Sequence, residues 1–177
     1  MLEVRIERAA LATMLASTRE VFSNETYGLL LGKKSQKVAE VLHAVPCQVA
    51  DRKRYEVSCN GKTRKLEEVL RSFEGRDFQV LGDFHSHPVL RNQSFSEYSE
   101  ISDSDHDDIE KDEIYALITA RLVDSKKYDI RYAQITPGIA GRWSDLYFNL
   151  KVYAWRNECE CFSPAPVKCR GIKIKRK

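Results

Sequence analysis

Apolar positions along the chain switch between two periods, and the switches divide it into elements. Leu2 to Ile6 alternates apolar and polar side chains, as an opening strand would. From Arg8 to Asn24, Leu11, Met14, Leu15, Thr18 and Phe22 fall on one helical face. Gly28 to Gly32 reads as a buried strand ending in a turn, Val38 to Val45 as its partner, and Tyr55 to Ser58 as a short strand. The clearest helix spans Thr63 to Glu74, with Leu66, Val69, Leu70 and Phe73 spaced i, i+3, i+4 and i+7 and Gly75 as its stop. Phe78 to His87 reads as a strand closed by Pro88, and Asp103 to Glu110 as a short helix beyond a polar stretch. Ile114 to Ala120, Tyr128 to Ile135 and Leu146 to Trp155 are three more strands. In the last, Phe148, Leu150, Val152 and Ala154 alternate with Asn149, Lys151 and Tyr153.

This order predicts an α/β (α+β) domain with a mixed, largely antiparallel sheet flanked by helices. Its core is expected to end near Arg156, so residues 1–156 form the domain and 157–177 a cysteine-containing, basic appendage. The 177 residues, 42% of them apolar, suffice for one buried core and exclude a disordered chain. No apolar run reaches the length of a membrane span, and Met1 to Ala10 lacks a signal-peptide core, so a cytoplasmic protein is expected. Five cysteines, an odd number, are then expected as free thiols. The formal charge of +3 is uneven: residues 168–177 hold six basic residues and no acid, leaving −3 for the rest. A nucleic-acid function would rest on that tail alone, and such a tail is more often a solvated terminus, so neither a nucleic-acid nor a membrane partner is expected.

The informative chemistry lies in Phe84-His85-Ser86-His87-Pro88. Histidines at i and i+2 of a strand share a face, and their imidazoles can share an ion. A catalytic zinc needs three protein ligands and an open position. Downstream, Ser102-Asp103-Ser104-Asp105-His106-Asp107-Asp108 offers carboxylates at a helix start, where acids also complement the helix dipole. There is no H-E-x-x-H and no P-C-x-x-C to suggest another zinc hydrolase.

Glu25-Thr26-Tyr27-Gly28-Leu29-Leu30-Leu31-Gly32, His85-Ser86-His87-Pro88 and Ser102-x-x-Asp105 together resemble the JAMM (MPN+) zinc metalloproteases, in stand-alone prokaryotic form. The resemblance covers residues 1–156 and implies the MPN/JAMM, cytidine-deaminase-like architecture. It implies one Zn2+ held by His85, His87 and Asp105, with Glu25 as general base and Ser102 as the hydroxyl that stabilises the oxyanion. It further implies an isopeptidase or peptidase that cuts after the C-terminal glycine of a ubiquitin-like protein, in deconjugation or precursor processing. A non-catalytic MPN scaffold that binds protein partners is the alternative.

Two departures from the family pattern stand out. Seventeen residues separate His87 from Asp105 where ten are usual, which implies an insertion within Val89 to Ile101; Ser104 with Asp107 is a second register. Ile109 lies at i+4 from Asp105, whereas Lys111 would lie there from Asp107, and this favours Asp105. Asp83, where the family often has an aromatic residue, shares the histidines' face; it either orients an imidazole or faces solvent. The loop 89–101 borders the site and either recognises substrate or decorates the surface. Elsewhere, His43 and His106 have no partner motif, and Cys159, Cys161 and Cys169 have no evident fourth ligand for a second metal.

Overall fold

The computed structural model describes residues 1–47, 51–52, 57–58, 61–73, 75, 79–96, 98–102, 110–124, 130–135 and 137–170. Strand β1 (Glu3–Ile6) leads into helix α1 (Arg8–Glu20), followed by the hairpin of β2 (Tyr27–Lys34) and β3 (Val38–Pro46). A two-stranded ribbon, β4 (Asp51–Arg52) with β5 (Val57–Ser58), precedes helix α2 (Gly61–Ser72). Then come β6 (Gln79–Pro88), β7 (Ile114–Leu122), β8 (Ile130–Ile135), β9 (Gly138–Trp143), β10 (Leu146–Arg156), β11 (Cys161–Ala165) and β12 (Val167–Cys169). The expected helix at 103–110 falls almost wholly outside the described residues.

The main sheet runs β12-β1-β3-β2-β6-β7-β10-β9-β8, with β11 added on β10. Among the described residues, β1–β12, β1–β3 and β6–β7 pair in parallel and the other pairs are antiparallel, so the sheet is mixed and largely antiparallel, as expected. Its two ends approach each other: the Val167 amide donates to the Pro137 carbonyl at the β8–β9 turn over 2.8 Å. The concave face so formed holds α1. Leu11, Met14 and Leu15 pack there against Val4, Ile6, Leu30, Phe84, Ile118, Phe148 and Leu150.

Helix α2 covers part of the opposite face through Leu66 and Leu70, against Leu29, Leu31 and Val80. The other two members of its expected apolar stripe do not join: Val69 is 47% and Phe73 72% exposed. Leu66 and Leu70 form one i, i+4 row, Val69 flanks it, and Phe73 lies beyond the last helical residue.

The C-terminal segment corrects the expected appendage. Residues 161–169 are strands of the same sheet, and Ala165, Val167 and Cys169 belong to the main core. The free-thiol expectation is corrected as well. The turn between β10 and β11, with Glu160 at φ 48°, brings the Cα atoms of Cys159 and Cys161 to 5.3 Å, and the two are disulfide-bonded. Cys47 is buried; Cys169 is a buried thiol, and burial pushes it up to about 11. No cysteine pair is therefore left at 159–161 for a second metal. Among the described residues, no helix is long and apolar enough to cross a membrane.

Candidate metal centre

Strand β6 is buried on both faces, and a break in its alternation decides which side chain goes where. Val80 faces Leu31 on the α2 side, and Leu81 faces the α1 core. A register shift against β2 then makes Gly82 the partner of Leu30. Gly82 has φ +137°, and a Cβ there would stand 2.0 Å from the Ile114 carbonyl oxygen, so only glycine fits the bulge. Beyond it, Phe84 enters the α1 core, while Asp83, His85 and His87 share the opposite face. Gly28 makes room for the Phe84 ring, which a Cβ would meet at 2.4 Å.

Glu25 reaches the histidines because Thr26 is clamped to Ser86. The Ser86 amide donates to the Thr26 carbonyl over 3.1 Å, and the Thr26 amide donates to Ser86 Oγ over 3.0 Å. Glu25, His85 and His87 are only 8%, 4% and 8% exposed. The two Nε2 atoms of the histidines are 2.9 Å apart, and Glu25 Oε1 lies 4.0 Å from His87 Nε2.

Each imidazole has a further partner. His87 Nδ1 donates to the Tyr98 carbonyl over 3.1 Å, and Thr119 Oγ1 donates to the same carbonyl over 2.8 Å. The Tyr115 hydroxyl contacts the ring nitrogens of His85, with the two rings edge to face at 4.6 Å. Tyr115 and Thr119 alternate with Ala116 and Ile118 on β7, which pairs in parallel with β6. The sequence reading missed both residues, since a tyrosine and a threonine in a strand carry no motif. It also missed the Tyr98 carbonyl, which no side chain encodes.

Loop 89–101 is fastened across this face as a strap. Gln93 Oε1 accepts from the Leu90 amide at 2.8 Å, Gln93 Nε2 donates to the Tyr98 hydroxyl at 2.7 Å, and Arg121 donates to the Gln93 carbonyl at 2.6 Å. Phe95 meets Tyr147 edge to face at 5.2 Å, and Ile101 packs on the Tyr115, Leu117 and Tyr153 cluster. Glu100 accepts from Tyr153 at 2.7 Å and pairs with Lys151. Burial pushes its carboxyl up, but the hydrogen bonds from Lys151 and Tyr153 outweigh this and hold it below the usual range.

The structure thus brings together Glu25, His85 and His87 of the expected site. Ser102 lies exposed, one residue beyond Ile101. Asp105, with Ser104, His106 and Asp107, lies outside the described residues. Asp83 is half-buried on the histidine face, and His43 is exposed on β3. Among the described residues, no group of three or more His, Cys, Asp and Glu side chains could by itself hold a metal ion. The donors that are present do fit zinc. Two imidazole nitrogens converge in a buried site, which is two of the three protein ligands a catalytic zinc takes.

Comparison with solved structures supports the fold. A solution structure of protein DSY2949 from Desulfitobacterium hafniense is 16% identical, with a TM-score of 0.61 over 97% of this chain and 95% of that one. No curated protein matches. The family described as prokaryotic homologs of the JAB domain matches residues 7–133. That span contains α1, the β2–β3 hairpin, both histidines and the strap, and the chain belongs to this family of prokaryotic JAB-domain homologues.

Proposed function

We propose that the chain is a zinc-dependent isopeptidase or peptidase that cleaves after the C-terminal glycine of a ubiquitin-like protein. The observation that carries this reading is the burial of Glu25, His85 and His87 in one cluster, with the two Nε2 atoms 2.9 Å apart. The family includes zinc metalloproteases as well as inactive members, and the residues present support the first reading. An inactive scaffold has no need of two buried imidazoles and a buried carboxylate at one strand end, because such groups cost stability unless they are partnered.

His85 and His87 would hold the ion with Asp105 as third ligand, and zinc there would supply Lewis acidity sufficient to bring a water's pKa to about 7. Glu25 would be the carboxylate that takes a proton from a water beside the histidines and hands it to the leaving amine. Its 4.0 Å separation from His87 Nε2 is too long for a direct hydrogen bond and leaves reach through one water. Ser102 supplies a hydroxyl to the developing oxyanion. The strap supports His87 through the Tyr98 carbonyl and covers the face beside the site, so substrate contacts it on approach. A glycine-ended tail suits such a covered site because it has no side chain to obstruct it.

The test is cleavage of a panel of ubiquitin-like proteins, each fused through its C-terminal glycine to a reporter, by zinc-supplied protein and by Glu25→Gln. Release of the reporter at the glycine by the wild type and not by Glu25→Gln supports the reading. A protein that binds the fusions and cleaves none would be a scaffold.

A further inference from the structure

We infer that Cys159 and Cys161 form a thiol-exchange site: a low-molecular-weight thiol opens their disulfide through Cys159, and Arg156 and Ser163 stabilise the Cys161 thiolate that leaves. The inference is independent of the zinc reading above.

As a structural link the bond adds little. It joins residues two positions apart, so it closes a very short loop and constrains an unfolded chain only slightly. The β10–β11 ladder already joins the same strand ends, pairing Arg156 with Cys161 and Trp155 with Phe162, whose rings meet at 5.3 Å. The bonded turn also holds Glu160 at φ 48°, in the left-handed region that a residue with a Cβ disfavours. Opening the bond frees Glu160 to leave that region.

The two sulfurs sit in different surroundings. Cys159 is exposed in the turn, open to an attacking thiolate, whereas Cys161 is half-buried at the first position of β11. Cys161 and Ser163 alternate onto one face of β11, and Arg156 stands opposite Cys161 on β10, so the three side chains share that face. Arg156 Nε and Ser163 Oγ are buried and, among the described residues, have no hydrogen-bond partner. Two buried donors beside a bonded sulfur therefore lack an acceptor, which disfavours the oxidised state. A Cys161 thiolate is an acceptor for both. The guanidinium favours its charged form, and a leaving thiol of lower pKa departs faster.

The exchange balances as two displacements. The thiolate of a first RSH attacks Cys159 Sγ; a new S–S bond forms, the Cys159–Cys161 bond breaks, and its electron pair leaves on Cys161. The thiolate of a second RSH attacks the sulfur of the attached R group, RSSR departs, and Cys159 leaves as a thiolate. The two protons given up by the thiols return to the two cysteines. The chain gains two electrons and the thiols lose two.

Reduced and oxidised glutathione probe the full chain, with thiols trapped by acid and alkylation and located by mass spectrometry. The pair is expected to pass between bonded and reduced forms across glutathione buffers at neutral pH while the chain stays folded and Cys47 and Cys169 acquire no glutathione. Cys161→Ser, given oxidised glutathione, should retain a mixed disulfide on Cys159. The rate of reduction should fall about 3- to 10-fold in Arg156→Leu, the scale of a leaving thiol whose pKa has risen, and Arg156→Lys should restore part of it. If Arg156→Leu fails to fold, Ser163→Ala takes its place, with a slower rate again expected. A pair that stays bonded in every buffer until the chain unfolds would overturn the inference, as would a pair that never bonds. So would Cys161→Ser with no glutathione on Cys159, or a rate unchanged in the folded Arg156 or Ser163 variant.

Discussion

The two faces of the central sheet are built by the same strands and solve opposite problems. On the α1 face, β6 and β7 contribute Phe84, Ile114, Ala116 and Ile118 to one continuous apolar core. On the other face they contribute His85, His87, Tyr115 and Thr119, all buried, and among the described residues the strap 89–101 lies over them. The first face is stabilised by excluding water from carbon and needs only shape. The second buries polar atoms, so each requires a partner, and the strap supplies several of them. A ready-made polar site thus sits on a scaffold whose stability comes from its far side.

The comparison predicts separable failures. Phe84→Ala should cost the most stability, about 3–5 kcal/mol, because it empties the α1 core. Chemical denaturation should show that loss, while zinc binding survives in the folded fraction.

Gly82→Ala should come next, at about 1–3 kcal/mol or more. It strains a φ of +137° and drives a Cβ into the Ile114 carbonyl. Unlike Phe84→Ala, it disturbs both faces, since the bulge at Gly82 sets which side chains each one receives. Reduced stability together with reduced zinc affinity would mark it, and a loss of stability alone would detach the bulge from the site.

What the sequence made legible follows the same division. The alternation of Phe148, Leu150, Val152 and Ala154 announced β10, and the spacing of His85 and His87 announced a shared face. Two glycines, Gly138 and Gly141, blur the pattern of β9, and Pro164 and Pro166 argue against strands where β11 and β12 form. Pro164 is tolerated because β11 pairs with β10 alone, where a missing amide is not required, and Pro166 falls between β11 and β12. The partners of the histidines escaped notice because one is a backbone carbonyl and the other, Tyr115, is a common strand residue. The disulfide escaped because an odd number of cysteines does not identify the pair that a hairpin turn brings together.

Two smaller effects sharpen the contrast. Glu25→Gln should leave stability and zinc content in place and lower kcat by about 10²- to 10⁴-fold, the span of a lost general base. Steady-state kinetics on a cleavable fusion would check this, and an active Glu25→Gln would remove Glu25 from the role.

Glu100→Gln should weaken the strap by less than about 1 kcal/mol, because the Glu100 side chain is largely exposed and its pairing is screened. Its carboxyl titrates below the unfolded value, so the bonds to Lys151 and Tyr153 contribute above that value and are lost as pH falls through the folded one. Hydrogen exchange at residues 98–102 should therefore quicken on acidification in the wild type and be less pH-dependent in Glu100→Gln.

The central claim is that the polar face holds one zinc. Metal analysis of purified protein, alongside His87→Ala and Asp105→Ala, tests it most directly. About one zinc per chain in the wild type, with both variants depleted but folded, is the predicted result. A wild type that takes up no zinc when it is supplied at neutral pH would contradict the account and leave a scaffold in its place.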